Sequence, residues 1–164
     1  MYVVAAVVCW SRSAMDVVNR AVNRLYNQDM DGLLAMCAED VDWWVMGKEA
    51  GIPWAGGFKG KPGVKEYMQL FDKHAKLEGY VVEELFTDKE DGLVTVIVRC
   101  DIARKTADGG ADLTGRGIAV VPSASVWAVD KHEHIVKYEE YLDTWLVAEI
   151  LKRPSGAAQA RAGS

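Results

Sequence analysis

"LVTVIVRCDIARK" (Leu93–Lys105) has the two-residue period of a β-strand. Successive side chains of a strand point to opposite sides, so Val94, Val96, Val98, Cys100 and Ile102 share one face and Thr95, Ile97, Arg99 and Asp101 the other. The first face is wholly apolar and must be covered. The second is mixed, and its opposite charges two residues apart fit either a solvated sheet surface with an ion pair or the lining of a ligand cavity.

The same period recurs on both sides of this stretch. "YVVEELFTD" (80–88), "TGRGIAVVPSASVWAVD" (114–130) and "IVKYEEYLDTWLV" (135–147) read as strands. Turn signals at Asp91-Gly92, Asp108-Gly109-Gly110 and "DKHEH" (130–134) separate them. Before Gly79 the period is helical. Ser13 reads as an N-cap ahead of Ala14, Val17, Val18, Ala21 and Leu25. A short second helix fits "DMDGLLAMCAED" (29–40), and a third fits "VKEYMQLFDKHAK" (64–76), which buries Val64, Tyr67 and Met68 and has Pro62 in its first turn. "VDWWVMG" (41–47) reads as a strand and "GIPWAGGFKGKPGV" (51–64) as a turn-rich loop. Helices first and long strands afterwards predict an α+β fold: a curved, mostly antiparallel sheet covered by three N-terminal helices.

The chain has 164 residues, which predicts one domain over residues 13–152, an N-terminal arm over 1–12 that could pack as a strand, and a disordered tail over 153–164. A net charge of -5 with no basic cluster argues against a nucleic-acid partner. The apolar start "MYVVAAVVCW" is too short to span a bilayer and lacks a basic leader. Three cysteines without metal-like spacing predict reduced, buried thiols and a cytoplasmic location. "HEH" (132–134) has the residue types of a metal site, but a turn in solvent with no third ligand argues against one, and no cofactor is expected.

Five stretches in order carry a resemblance: "AEDVDWWV" (38–45), "IPWAGGFKGKPGVKEYM" (52–68), "LTGRG" (113–117), "VWAVD" (126–130) and "IVKYEEYLDT" (135–144). Together they resemble the SnoaL-like family of the NTF2-like superfamily, from about residue 13 to 150. The resemblance implies a cone-shaped sheet around a pocket, commonly in a homodimer. It also implies a hydrophobic small-molecule substrate and general acid/base chemistry without a cofactor, of the polyketide cyclase, isomerase or dehydratase type. A limonene-type epoxide hydrolase and a non-catalytic binding or dimerisation module are the alternatives.

In the epoxide hydrolase branch an Arg-x-Asp on the strand and a second Asp on the last strand meet in the pocket. Arg99, Asp101 and Asp143 stand at those positions and are the catalytic candidates, with Asp101 as acid, Asp143 as base and Arg99 tuning both. That branch holds its water with a Tyr and an Asn, where this chain has Trp43 and Val45. Ser125 stands where isomerases and cyclases place an Asp or His, and Ala21 where the steroid isomerases have a helix Tyr. Trp54, Trp43, Tyr141, Tyr67 and Ser125 are the candidate substrate contacts. For the tryptophans the competing reading is plain core packing. For Asp143 it is a cap on the helix that follows.

Overall fold

The helical period at the start of the chain runs further than Ser13. The computed structural model describes residues 3–88, 92–113 and 117–152, with side chains from residue 14 onward. In it, helix α1 spans Val3–Tyr26. No glycine or proline interrupts that stretch, so nothing in it stops a helix. The segment considered as a strand-like arm is therefore the first part of α1. The tail at 153–164 and most of "LTGRG" lie outside the described residues. Ala14, Val17, Val18, Ala21, Val22 and Leu25 form the buried stripe of α1.

Helix α2 (Met30–Met36) starts at Asp29, whose Oδ1 accepts a hydrogen bond from the Gly32 N–H at 2.9 Å. Strand β1 (Cys37–Val45) follows directly. After a single 3₁₀ turn at Lys48–Ala50 comes β2 (Gly56–Lys59), inside the stretch read as a loop. Gly56 and Gly57 have no strand propensity of their own. Pairing with β1, Trp43 opposite Phe58, makes them a strand. Helix α3 (Gly60–His74) opens on Gly60, whose φ is +65°; a Cβ there would meet the Glu39 carbonyl oxygen at 2.7 Å, so only glycine makes this corner.

Strands β3 (Ala75–Thr87), β4 (Leu93–Arg104), β5 (Ile118–Val129) and β6 (Ile135–Leu142) form the meander, and α4 (Thr144–Lys152) ends it. The last strand stops at Leu142, earlier than the pattern through Val147 implied. The sheet has six strands in the order β2-β1-β6-β5-β4-β3. Every pair is antiparallel except β1 with β6, which is parallel. Register shifts at Leu77/Gly79 and Val82/Glu84 in the β3–β4 pair bend this long ribbon, as an extra residue in one strand does.

The helices cover one face only, and alternation decides which residues meet them. On β4 these are Val94, Val96, Val98, Cys100 and Ile102, none more than 6% exposed. The Arg99 and Asp101 face therefore points outward, the reverse of the arrangement a catalytic role for this pair requires. Burying an aliphatic side chain is worth about 1.5–3 kcal/mol, whereas burying an ion pair carries a desolvation penalty that often exceeds its Coulombic gain. The apolar set wins the interior. Among the described residues no helix is long and apolar enough to cross a membrane.

Candidate functional site

Between the concave face of the sheet and helices α1 and α3 lies a cavity of about 330 Å³, within the size range of small-molecule sites. Its walls are largely aromatic and aliphatic, with Tyr26 from α1, Trp54 from the loop before β2, Tyr67 and Phe71 from α3, and Leu142 from β6. Trp54 meets Phe71 edge-on, with ring centroids 5.0 Å apart. Gln28, Gln69 and Asp72, all exposed, form the rim. Asp72 is tied to the end of β4 by Lys105, whose Nζ lies 2.9 Å from Oδ1 and 2.6 Å from the Asp72 carbonyl oxygen. No lysine or arginine lines the cavity among the described residues.

The polar feature of the floor is Glu140, on β6 between Tyr138 and Leu142 and only 7% exposed. Its Oε1 accepts a hydrogen bond from the Ser123 hydroxyl at 2.9 Å. Burial pushes its carboxyl above the ordinary value of 4.5, and the Ser123 hydroxyl and the nearby Tyr138 phenol offset this only in part. The Tyr138 hydroxyl is close enough to lower the carboxyl but outside hydrogen-bond geometry. It and the Trp43 indole N–H are buried without a hydrogen-bond partner among the described residues. Burial, and then the Glu140 charge, hold the phenols of Tyr26, Tyr67 and Tyr138 well above their usual value, so all three stay protonated donors. The Cys100 thiol on the cavity wall is pushed up to about 12, chiefly by burial, which leaves it unreactive as a nucleophile near neutral pH. A carboxyl that holds its proton more tightly than usual in an apolar chamber, among phenols that can donate, has the make-up of a site that moves protons.

Comparison with family models matches a SnoaL-like domain over residues 18–138. The chain belongs to this family. Glu140 lies just past the matched range of this SnoaL-like chain. Comparison with curated proteins finds no match. Among solved structures, a Rhodopseudomonas palustris protein provisionally assigned as an isomerase superposes with a TM-score of 0.67 at 19% identity, over 84% of this chain and 97% of that one. A Shewanella denitrificans protein provisionally named a SnoaL-like polyketide cyclase gives 0.65 at 12% identity, over 85% and 96%. TerC, crystallised with polyporic acid, gives 0.68 at 17%, over 86% and 99%. Identities this low show the NTF2-like fold alone.

In this SnoaL-like domain the residues singled out in the sequence part company. Trp54 and Tyr67 line the cavity. Arg99, Asp101 and Asp143 do not line it and do not converge there. Arg99 forms an outer ion pair with Glu83 of β3, both half-exposed, a contact worth little in water. Asp101 packs outside against Gly79, where a Cβ would come within 3.2 Å of its Oδ2. Asp143 caps α4: its Oδ1 accepts from the Leu146 N–H at 3.0 Å. Its own N–H donates to the Pro122 carbonyl at 3.3 Å, at the point where β6 leaves the sheet. Asp143→Ala is therefore expected to cost about 1 kcal/mol in chemical denaturation, the worth of an N-cap, and to leave ligand binding in the cavity unchanged.

Trp43 is fully buried in the core, stacked on Tyr138 at 3.9 Å and edge-on to Trp127 at 5.8 Å, and is not part of the cavity wall. Tyr141 lies on the outer face beside Trp44, ring centroids 5.5 Å apart. Ser125 is buried and accepts a hydrogen bond from Trp127 Nε1 at 2.8 Å. In the "DKHEH" turn the His132 and His134 backbone N–H groups both donate to Asp130 Oδ1 at 2.8 Å, so the sequence there serves a loop closure. Glu140 is the residue that sequence reasoning missed. The signal for it was the adjacent pair Glu139-Glu140 inside a strand, since alternation puts one of the two carboxylates on the buried face. Glu139 takes the outer one, 2.8 Å from Lys137 Nζ.

Proposed function

We propose that this protein binds a neutral, largely apolar small molecule and moves a proton at a carbon next to its carbonyl group, with Glu140 as general base and acid. The observation that carries this reading is Glu140 itself, a buried carboxyl with a raised pKa at the floor of an apolar cavity. In its ionised form the carboxylate takes an α-proton from a ketone or β-dicarbonyl unit. The resulting enolate oxygen is received by a phenol donor, for which Tyr26 and Tyr67 on the wall are the candidates. Returning the proton at another carbon is isomerisation. Attack of the enolate carbon on a second carbonyl, whose oxygen takes the proton back from Glu140, is cyclisation. Loss of a β-hydroxyl as water, carrying that same proton, is dehydration. One proton-transfer site serves all three.

Among the described residues the wall carries no basic side chain, which favours neutral over anionic ligands. Epoxide opening is a weaker reading, because it needs two acidic groups acting on one substrate. The cavity's other carboxylate, Asp72, is on the exposed rim and paired with Lys105.

The test is α-proton exchange. A panel of neutral bicyclic ketones and β-diketones is incubated with the protein in D2O, and loss of the α-proton signals is followed by NMR across pH. Exchange should rise with pH as Glu140 ionises, with a midpoint above 4.5, the ordinary carboxyl value. If every ketone binds and none exchanges, the protein is a binding module and the catalytic reading fails.

A further inference from the structure

After α1 ends at Tyr26, the chain reverses over Asn27–Asp29 to enter α2. Two backbone hydrogen bonds close the turn, Gln28 N–H to the Leu25 carbonyl at 3.1 Å and Asp29 N–H to the Arg24 carbonyl at 2.9 Å. This is the closure that puts one residue after a helix into the left-handed region, a place taken mostly by glycine and sometimes by asparagine. Here the residue is Gln28, with a φ of 58°. A Cβ in that conformation crowds the next carbonyl, and glutamine has neither the freedom of glycine nor the short amide that makes asparagine tolerable.

Among the described residues one other non-glycine side chain has positive φ, Glu133 (φ 64°), in the exposed turn between β5 and β6. Gln28 differs from it by lining the cavity. It stands at the rim with Gln69 of α3, and neither side-chain amide has a hydrogen-bond partner among the described residues, while Asp72 beside them is engaged by Lys105. Glycine would serve the turn better. What glutamine adds is an amide at the mouth.

We propose that Gln28 is a specificity-determining residue whose amide, together with that of Gln69, receives a second polar group on the ligand. The preferred ligand is then a neutral apolar body with a hydrogen-bonding group at each end, one held at the floor by Glu140 and one at the mouth. Strain retained in the backbone at a ligand site is a recurring cost of placing such a side chain. This inference rests on the reading of the cavity as a ligand site.

The experiment compares two neutral probes, 2-acetylnaphthalene with one polar end and 6-hydroxy-2-acetylnaphthalene with two. Binding is read from quenching of tryptophan fluorescence, since Trp54 is on the wall. The wild type should bind the two-ended probe about fivefold more tightly, the ratio that one net hydrogen bond supports. In Gln28→Ala and Gln28→Gly the two probes should bind equally. Thermal unfolding separates the side chain from the turn: Gln28→Gly, freed of the strained φ, should melt about 2–4 °C higher than the wild type, and Gln28→Ala should not. A preference kept in both variants, or absent from the wild type, overturns the proposal. If both probes bind and the Gln28 variants keep the wild type's preference, the cavity reading stands and the role of Gln28 falls. If neither probe binds, both fall.

Discussion

Glu140→Gln is expected to reduce α-proton exchange by about 10²–10⁴-fold, the usual contribution of a positioned general base. Glutamine has the same shape and its carbonyl can still accept the Ser123 hydrogen bond, so ligand affinity should change far less than turnover. The same substitution has a second signature. The folded protein holds the Glu140 proton more tightly than the unfolded chain does. The stability this provides is complete below the unfolded value and is lost as pH rises through the higher folded one. Wild-type stability should therefore fall from about pH 4.5 upward, and the Glu140→Gln variant should show less of this fall. Denaturation midpoints measured across that range check the sign. A carboxyl that is only structural would lose the pH effect without losing exchange.

The second large effect is on stability. Trp43 has no exposed surface and packs against Tyr138, Trp127 and Tyr67. Trp43→Ala removes the centre of this cluster and should cost about 3–5 kcal/mol, a fall of about 10 °C in melting temperature for a domain of this length. Trp43→Phe keeps most of the packing and removes the buried indole N–H, which has no partner among the described residues, so its cost should be much smaller. Both outcomes are read by thermal unfolding. At temperatures where Trp43→Phe stays folded, its affinity for neutral ketones should match the wild type. A selective loss of ligand binding would return Trp43 to the cavity wall.

Period and turn chemistry were enough to place the middle helices, the second half of α1 and the four long strands, because each is a local pattern repeated over many residues. The first turns of α1 and the switch from β6 to α4 were misread. β2 was hidden since Gly56 and Gly57 carry no propensity, and only the partner strand β1 makes them extended. The direction of β4 was harder. Alternation separates the two faces but does not say which is inside, and the charges of Arg99 and Asp101 fit a solvated surface and a cavity equally well. The five apolar side chains on the other face outweigh them.

The cavity itself has no local pattern. Tyr26, Trp54, Tyr67 and Glu140 come from four separate parts of the chain, and the fold alone brings them together. Asp143 shows the converse. Its position at the end of the last strand resembled a catalytic site, but the immediate neighbour, a helix starting at Thr144, makes it a cap.

β6, the last strand among the described residues, is a middle strand of the sheet. β6 joins β1 and β2 on one side to β5, β4 and β3 on the other. Its parallel pairing with β1 links Asp42 with Lys137 and Val45 with Glu140 across most of the sequence, a closure that local contacts do not help. As the chain leaves the ribosome, β1 and β2 have no permanent place until β6 is made. Glu140 lies on the same late strand, so the sheet and its acid are completed together. A growing chain closes the sheet and the cavity floor in one step, at the pairing of β6 with β1.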